Sequence, residues 1–149
     1  MQSASAADVA VAVSSCWNAV VPGGVDLTKL KADGWTPASA TDPSGKAIAL
    51  PLGIYGKSGV NAIVMANADT AGKSVCAVVG GLRSIDDIKG VLPVVKQALL
   101  TIDPNVKAAS SNGGIVFIDL PRLAMLNATG SKEKPGVRVV VGYEASEKK

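Results

Sequence analysis

The fold is decided by residues 47–79, which read AIALPLGIYGKSGVNAIVMANADTAGKSVCAVV. This segment holds three apolar runs, at 47–55, 60–66 and 74–79, separated by residues that favour turns. Large and small residues alternate in the first run, which is the period of a β-strand. Three strands joined by short turns predict an antiparallel meander.

Pro51 lies inside the first of these runs. Proline has no N–H to donate to a neighbouring strand, so we expect the strand over 47–55 to lie at an edge of the sheet. Its alternation gives one face of large apolar residues and one face of small residues. An edge strand of this kind can receive a strand from a partner.

The segment before the meander has the periodicity of a helix. Val9, Val13, Cys16 and Val20 recur at spacings of four, three and four residues, which places them on one helical face. The Pro-Gly-Gly sequence at 22–24 ends this predicted helix.

A second, short helix is predicted to follow. Asp26 caps its start, and the helix runs to Asp33 with Gly34 just beyond its end. Leu30 and Trp35 then occupy the two positions that touch in a Schellman ending. Trp35 is therefore predicted to be a packing anchor.

Beyond these helices, residues 36–46 are predicted to be a loop because Pro, Asp, Ser and Gly punctuate them. A third helix opens at Ser84, where Ser84 and Asp87 match a capping box. Gly90 and Pro93 interrupt this helix, so we expect a kink or two shorter helices. Its apolar face comprises Ile88, Val91, Leu92, Val95, Leu99 and Ile102.

The last third of the chain is predicted to be mainly strands. Asn112 and Gly113 form a strong hairpin signal between two apolar runs. The predicted elements are strands over 106–109, 115–120 and 137–143, a short helix or irregular segment over 121–127, and a polar loop over 129–136.

These elements predict a single α+β domain over 1–149, with residues 1–5 and 145–149 frayed. The predicted order is α-α-β-β-β-α-β-β-β. We expect an antiparallel sheet of about five or six strands with helices mainly on one face.

Composition excludes several classes of function. The chain of 149 residues has no histidine, which argues against Ser-His-Asp and Cys-His catalysis and most transition-metal sites, and we predict neither a metal nor a cofactor. A net charge of +3 with no basic run among aromatics gives no support for nucleic-acid binding. No apolar run approaches the roughly 18 residues of a membrane span.

The two cysteines, Cys16 and Cys76, suggest the compartment. They are expected to form a disulfide if the chain is exported, and to be buried thiols if it is cytoplasmic. Residues 1–7 lack the cationic start and apolar core of a signal peptide, but are typical of the polar head of a mature exported protein. A secreted or periplasmic location is therefore predicted, with the cytoplasm as the alternative.

The corner where the third predicted strand enters the third helix is a candidate anion site. Backbone N–H groups at a helix start, next to an arginine, can hold a phosphate or carboxylate. Asp86 and Asp87 would repel such an anion, and a tight turn with a capped helix explains the same residues. The candidate residues are Gly80, Gly81, Arg83 and Ser84.

Asp119 is the candidate for catalysis. It shares a strand face with Ile115 and Phe117, where a carboxylate is unexpected. It could act as a general acid or base, or it could pair with Arg122 or Arg138.

Three functions are consistent with these patterns. The first is a non-enzymatic exported domain that binds a protein or a small molecule. The second is a structural or assembly subunit that forms homo-oligomers by pairing the first and last strands between copies. The third is a histidine-free enzyme that uses Asp119 with a Lys or Tyr.

Overall fold

The computed structural model describes residues 3–22, 24–38, 43–46, 53–66, 74–111, 114–131 and 133–143. Its helices are α1 (Ala6–Ala19), α2 (Leu27–Ala32) and α3 (Ile88–Ile102), and the 3-10 turn Ile85–Asp87 precedes α3. Its strands are β1 (Val20–Val21), β2 (Gly24–Val25), β3 (Thr36–Ala38), β4 (Gly53–Lys57), β5 (Val60–Ala66), β6 (Ser74–Gly81), β7 (Lys107–Ser111), β8 (Gly114–Asp119), β9 (Arg122–Gly130) and β10 (Pro135–Tyr143).

The chain forms the predicted α+β domain around one large sheet. The sheet has eight strands in the order β3-β4-β5-β6-β10-β9-β8-β7, and every neighbouring pair is antiparallel. The expected five or six strands were therefore too few. α1 packs on β5, β6 and β10, while α2 and α3 pack on α1, so the helices lie on one side of the sheet as predicted.

α1 is the centre of the core. A capping box starts it, because the Asp8 N–H donates to Ser5 Oγ and the Ser5 N–H donates to an Asp8 carboxylate oxygen, both at 3.0 Å. The predicted face of Val9, Val13 and Cys16 is fully buried. Other sides of α1 are buried too, because the sheet covers one side and α3 the other.

α2 ends in the predicted Schellman motif. The Trp35 N–H donates to the Leu30 carbonyl at 3.1 Å, the Gly34 N–H donates to the Lys31 carbonyl at 3.0 Å, and Gly34 has φ +97°. The Trp35 ring is fully buried, and its Nε1–H donates to the buried Ser15 hydroxyl of α1 at 3.0 Å. Trp35 is therefore the packing anchor that joins α2 to α1.

The predicted loop over 36–46 is wrong at its start. The chain leaves Trp35 in extended conformation as β3, which pairs with β4 over Thr36–Ala38. β3 contains a proline and is too short to show an alternation of apolar and polar residues. It is therefore recognised only by its pairing with β4. β4 is consequently not an edge strand where it is described, and Pro51 lies outside the described residues.

α3 begins as predicted but is not divided. The capping box of Ser84 and Asp87 is present, and one helix then continues through Pro93 to Ile102. The alternative of two shorter helices is therefore wrong, and a kink stays a prediction. Pro93 removes the hydrogen bond to the Lys89 carbonyl. Both residues are exposed, so water can satisfy that carbonyl.

The C-terminal half contains a strand that the sequence pattern missed. The predicted hairpin at 112–113 is confirmed by the pairing of Ser111 with Gly114, although these two turn residues lie outside the described ones. Residues 121–127 were expected to be a short helix or an irregular segment, and residues 129–136 a loop. The structure has β9 over Arg122–Gly130 instead, and β10 begins at Pro135. β9 pairs with β8 on one side and with β10 on the other.

Candidate functional site

Cys16 and Cys76 form a disulfide between α1 and β6, as predicted. Their Cα atoms lie 5.6 Å apart, within the range that a bridge requires, and both side chains are fully buried. The bond identifies the face of the sheet that lies under α1. Alternate strand residues on that face are buried, namely Ala62, Val64, Ala66, Cys76, Val78, Ala124, Leu126, Val137, Val139 and Val141.

The opposite side of the sheet, which we call the open face, is also apolar. No helix in the described ranges packs on it, because α1 covers the other side and α2 and α3 contact α1. Strand register aligns one residue from each of seven strands in a row: Ile54, Met65, Ala77, Val140, Met125, Val116 and Ala109. We call this set the apolar row.

Residues on either side of the apolar row extend it. Ile63 and Val79 are paired neighbours on one side, and Leu123 and Ile118 are paired neighbours on the other. Ile118 is 38% exposed and Met125 is 39% exposed, so large apolar side chains reach solvent here. An antiparallel sheet with one solvated face normally places polar residues on that face.

The charges on the open face are all positive within the described part of the chain. Arg138 and Lys107 are exposed there, and no described residue of this face is Asp or Glu. Arg138 lies between Val79 and Asn127 in a second cross-strand row. The open face therefore combines apolar surface with positive charge.

The predicted anion site is a corner beside the N-terminal residues. Gly80 is buried, and a Cβ at this position would lie 2.9 Å from the Ala4 Cβ. The Gly81 carbonyl accepts the Ala4 N–H at 2.7 Å, which holds the chain before α1 against the end of β6. Gly80 thus has a packing role, whereas a Cβ at Gly81 would meet nothing within 4 Å.

Arg83 lines a cavity of about 400 Å³ at this corner, next to Ser84 in the chain. Asp86 and Asp87 also line or flank it, and the Ser84 N–H already donates to Asp87 at 3.4 Å. The structure thus places Arg83 near acidic side chains. The Ser84 N–H at the start of the helix already has Asp87 as its hydrogen-bond partner. Anion binding by Gly80, Gly81, Arg83 and Ser84 stays a prediction.

Asp119 lies at the end of β8, opposite Arg122 across a two-residue turn. Its neighbour Asp103, at the end of α3, was not predicted. A side-chain hydrogen bond with Asp103 raises the pKa of Asp119, loss of hydration and the Asp103 charge raise it further, and Arg122 lowers it. A catalytic role for Asp119 stays a prediction.

Arg122, expected only as a possible partner of Asp119, also binds the end of α1. Its Nε–H donates to the Trp17 carbonyl at 2.7 Å and its Nη2–H to the Val20 carbonyl at 3.3 Å. Its guanidinium also lies 5.6 Å from the centre of the Tyr143 ring. Arg122 therefore caps the end of α1, using partners more than a hundred positions away in the sequence.

The carboxyl pair predicts a pH effect. The pKa of Asp119 is raised in the folded state. The carboxyl group of Asp119 therefore stabilises the fold at pH values below its unfolded-state pKa, and this stabilisation is lost as pH rises through its folded-state pKa. Asp119→Asn keeps a hydrogen-bond donor and removes the charge. We expect the stability of this variant relative to wild type to increase from about pH 3 to pH 7.

Urea unfolding at several pH values measures this difference. Asp86→Asn, which removes an exposed acid elsewhere, is the control and should follow wild type more closely. A relative stability of Asp119→Asn that falls as pH rises would contradict the carboxyl pair.

A shallow groove of about 670 Å³ runs between α1 and α3, with Val11 and Val94 on its walls.

In the described part of the chain, no three His, Cys, Asp or Glu residues gather in a metal-binding arrangement. The described helices include none with the length and apolarity needed to cross a membrane. Neither family models, curated proteins nor solved structures match this chain.

Proposed function

We propose that this protein is an exported, non-enzymatic binding domain and that the open face is its binding surface. The apolar row carries the proposal, since it continues across seven strands on the side away from the helices. Apolar surface that no described helix covers is typical of interaction sites.

The composition of individual strands supports the same conclusion. In β10, Val137, Val139 and Val141 face α1, whereas Val140 faces away. In β5, Ile63 and Met65 likewise face away from the helices. Burial on the helix side does not explain these apolar residues, and a partner on the open face does.

The disulfide supports export. Disulfides persist in oxidising compartments and are rare in the cytoplasm, so the Cys16–Cys76 bond favours a secreted or periplasmic protein. The cytoplasmic alternative predicts two free thiols in protein made in its native host. Intact mass with and without reductant separates them, since the bridged form gains two hydrogen atoms from the reductant.

The binding surface can be tested with Nile red, a neutral apolar dye whose fluorescence rises on apolar surfaces. We expect wild type to bind the dye, and Met125→Asp and Ile118→Asp each to weaken binding at least fivefold. A carboxylate on the open face makes apolar contact unfavourable because it must lose water. Fluorescence titration of the folded variants, checked by circular dichroism, measures the effect.

Val11→Asp is the matched control. Val11 is 39% exposed, like Met125, but it lies on the helix side in the groove between α1 and α3. It should bind Nile red as wild type does. Loss of binding in Val11→Asp with retention in the two strand variants would place the site in the groove and refute the proposal.

Assembly through edge strands is the second candidate, and one observation favours it. β7 is the last strand at its end of the sheet, and the described residues Lys107, Ala108, Ala109 and Ser110 are exposed. The predicted use of the last strand is wrong, because β10 pairs with β6 and β9. Light scattering at high concentration tests assembly: a strict monomer refutes it.

A further inference from the structure

We infer that the open face binds a long-chain fatty acid, with the carboxylate at Arg138 and the acyl chain on the apolar residues beside it. The inference rests on the proposed function, since it names the ligand class for the same surface. It is argued from the position of Arg138, the sign of the charges and the size of the apolar surface.

Arg138 lies where the polar and apolar parts of the open face meet. In its cross-strand row, Val79 and then Ile63 follow on one side, and Asn127 lies on the other. Paired side chains in a sheet are about 4.5–5.5 Å apart, so an anion on Arg138 is within reach of the Asn127 amide as well. The adjoining part of the apolar row is Val140, Ala77, Met65 and Ile54.

The charges select an anionic amphiphile. Arg138 is exposed, and no other described side chain forms a hydrogen bond or ion pair with it. No described residue of the open face is acidic, so none of these residues repels an incoming carboxylate. A guanidinium binds a carboxylate through two parallel hydrogen bonds, which orients the ligand.

The length of the apolar row suits an acyl chain. Seven strands spaced about 4.8 Å apart make the apolar row roughly 29 Å long, and same-face residues roughly 7 Å apart set its width. A lipid chain spans about half of a ~30 Å hydrocarbon core, so it fits along part of this row. The row alone covers roughly 200 Å², and the apolar residues on either side of it widen this surface.

Isothermal titration with dodecanoate, kept below its micelle concentration, tests the inference. We expect binding by wild type, at least tenfold weaker binding by Arg138→Gln, and no measurable binding of acetate, which has the carboxylate alone. Lys96→Gln is the matched control, because it removes one exposed positive charge on α3, away from the open face, and should bind within twofold of wild type. Amide chemical-shift changes should map to β5, β6 and β10.

Three outcomes overturn the inference: no binding of dodecanoate, equal weakening in Arg138→Gln and Lys96→Gln, or shift changes confined to α1 and α3. Failure here is separable from failure of the proposed function. Protein that binds Nile red on the open face but not dodecanoate has a binding surface for another apolar partner, such as a protein. Protein that binds neither lacks the proposed surface.

Discussion

The double variant C16A/C76A is expected to unfold with a free energy about 4 kcal/mol below that of the disulfide-bonded protein. The two cysteines are separated by 60 positions, and cross-linking them restricts the unfolded chain. Both sites are fully buried, and alanine removes only a small side chain from each, so most of the loss should come from the cross-link. Urea denaturation measures the loss.

Reduced wild type is the control for this prediction. It keeps both sulfur atoms but lacks the bond, so its stability should lie within about 1 kcal/mol of that of C16A/C76A. A loss below about 1 kcal/mol in both proteins would mean that the bond between α1 and β6 contributes little to stability.

Trp35→Ala is expected to cost about 3–5 kcal/mol, the range for removing a fully buried large aromatic side chain. Trp35 is 0% exposed and joins the end of α2 to α1, so its loss leaves a cavity and an unpaired Ser15 hydroxyl. Chemical denaturation monitored by circular dichroism measures the change, because Trp17 alone would then report fluorescence.

Smaller changes at the same contact separate packing from hydrogen bonding. Trp35→Phe keeps much of the ring but loses the Nε1–H donor to Ser15. Combined with Ser15→Ala in a double-mutant cycle, it should give a coupling energy of about 1 kcal/mol. A coupling energy near zero would show that this hydrogen bond adds nothing beyond packing.

Local signals predicted the helices and several turns. The Schellman ending at Gly34 and Trp35, the capping box at Ser84 and the hairpin at 112–113 each depend on residues a few positions apart. Such signals are complete in the sequence itself. β3 and β9 have no decisive local pattern in the sequence. They are recognised only because they pair with other strands, β3 with β4 and β9 with β10.

The open face was only partly predictable for the same reason. The valine-rich segment 137–143 shows that β10 has apolar residues on both faces. Its alignment with the other strands depends on register, such as Val140 opposite Ala77 and Met125. The sequence contains the residues of the apolar row, but only their pairing shows that they are contiguous.

The sheet order has a consequence for how the molecule holds together. β3–β6 and β7–β10 are two meanders, and in the described sheet only the pairing of β6 with β10 joins them. α1 lies across this seam, and the disulfide attaches it to the β6 side. A meander that separated at the seam would present a complementary edge to another copy of the chain. The β10 valines pack under α1, and the disulfide joins α1 to Cys76 on β6. Together these contacts hold the two meanders of one molecule to each other.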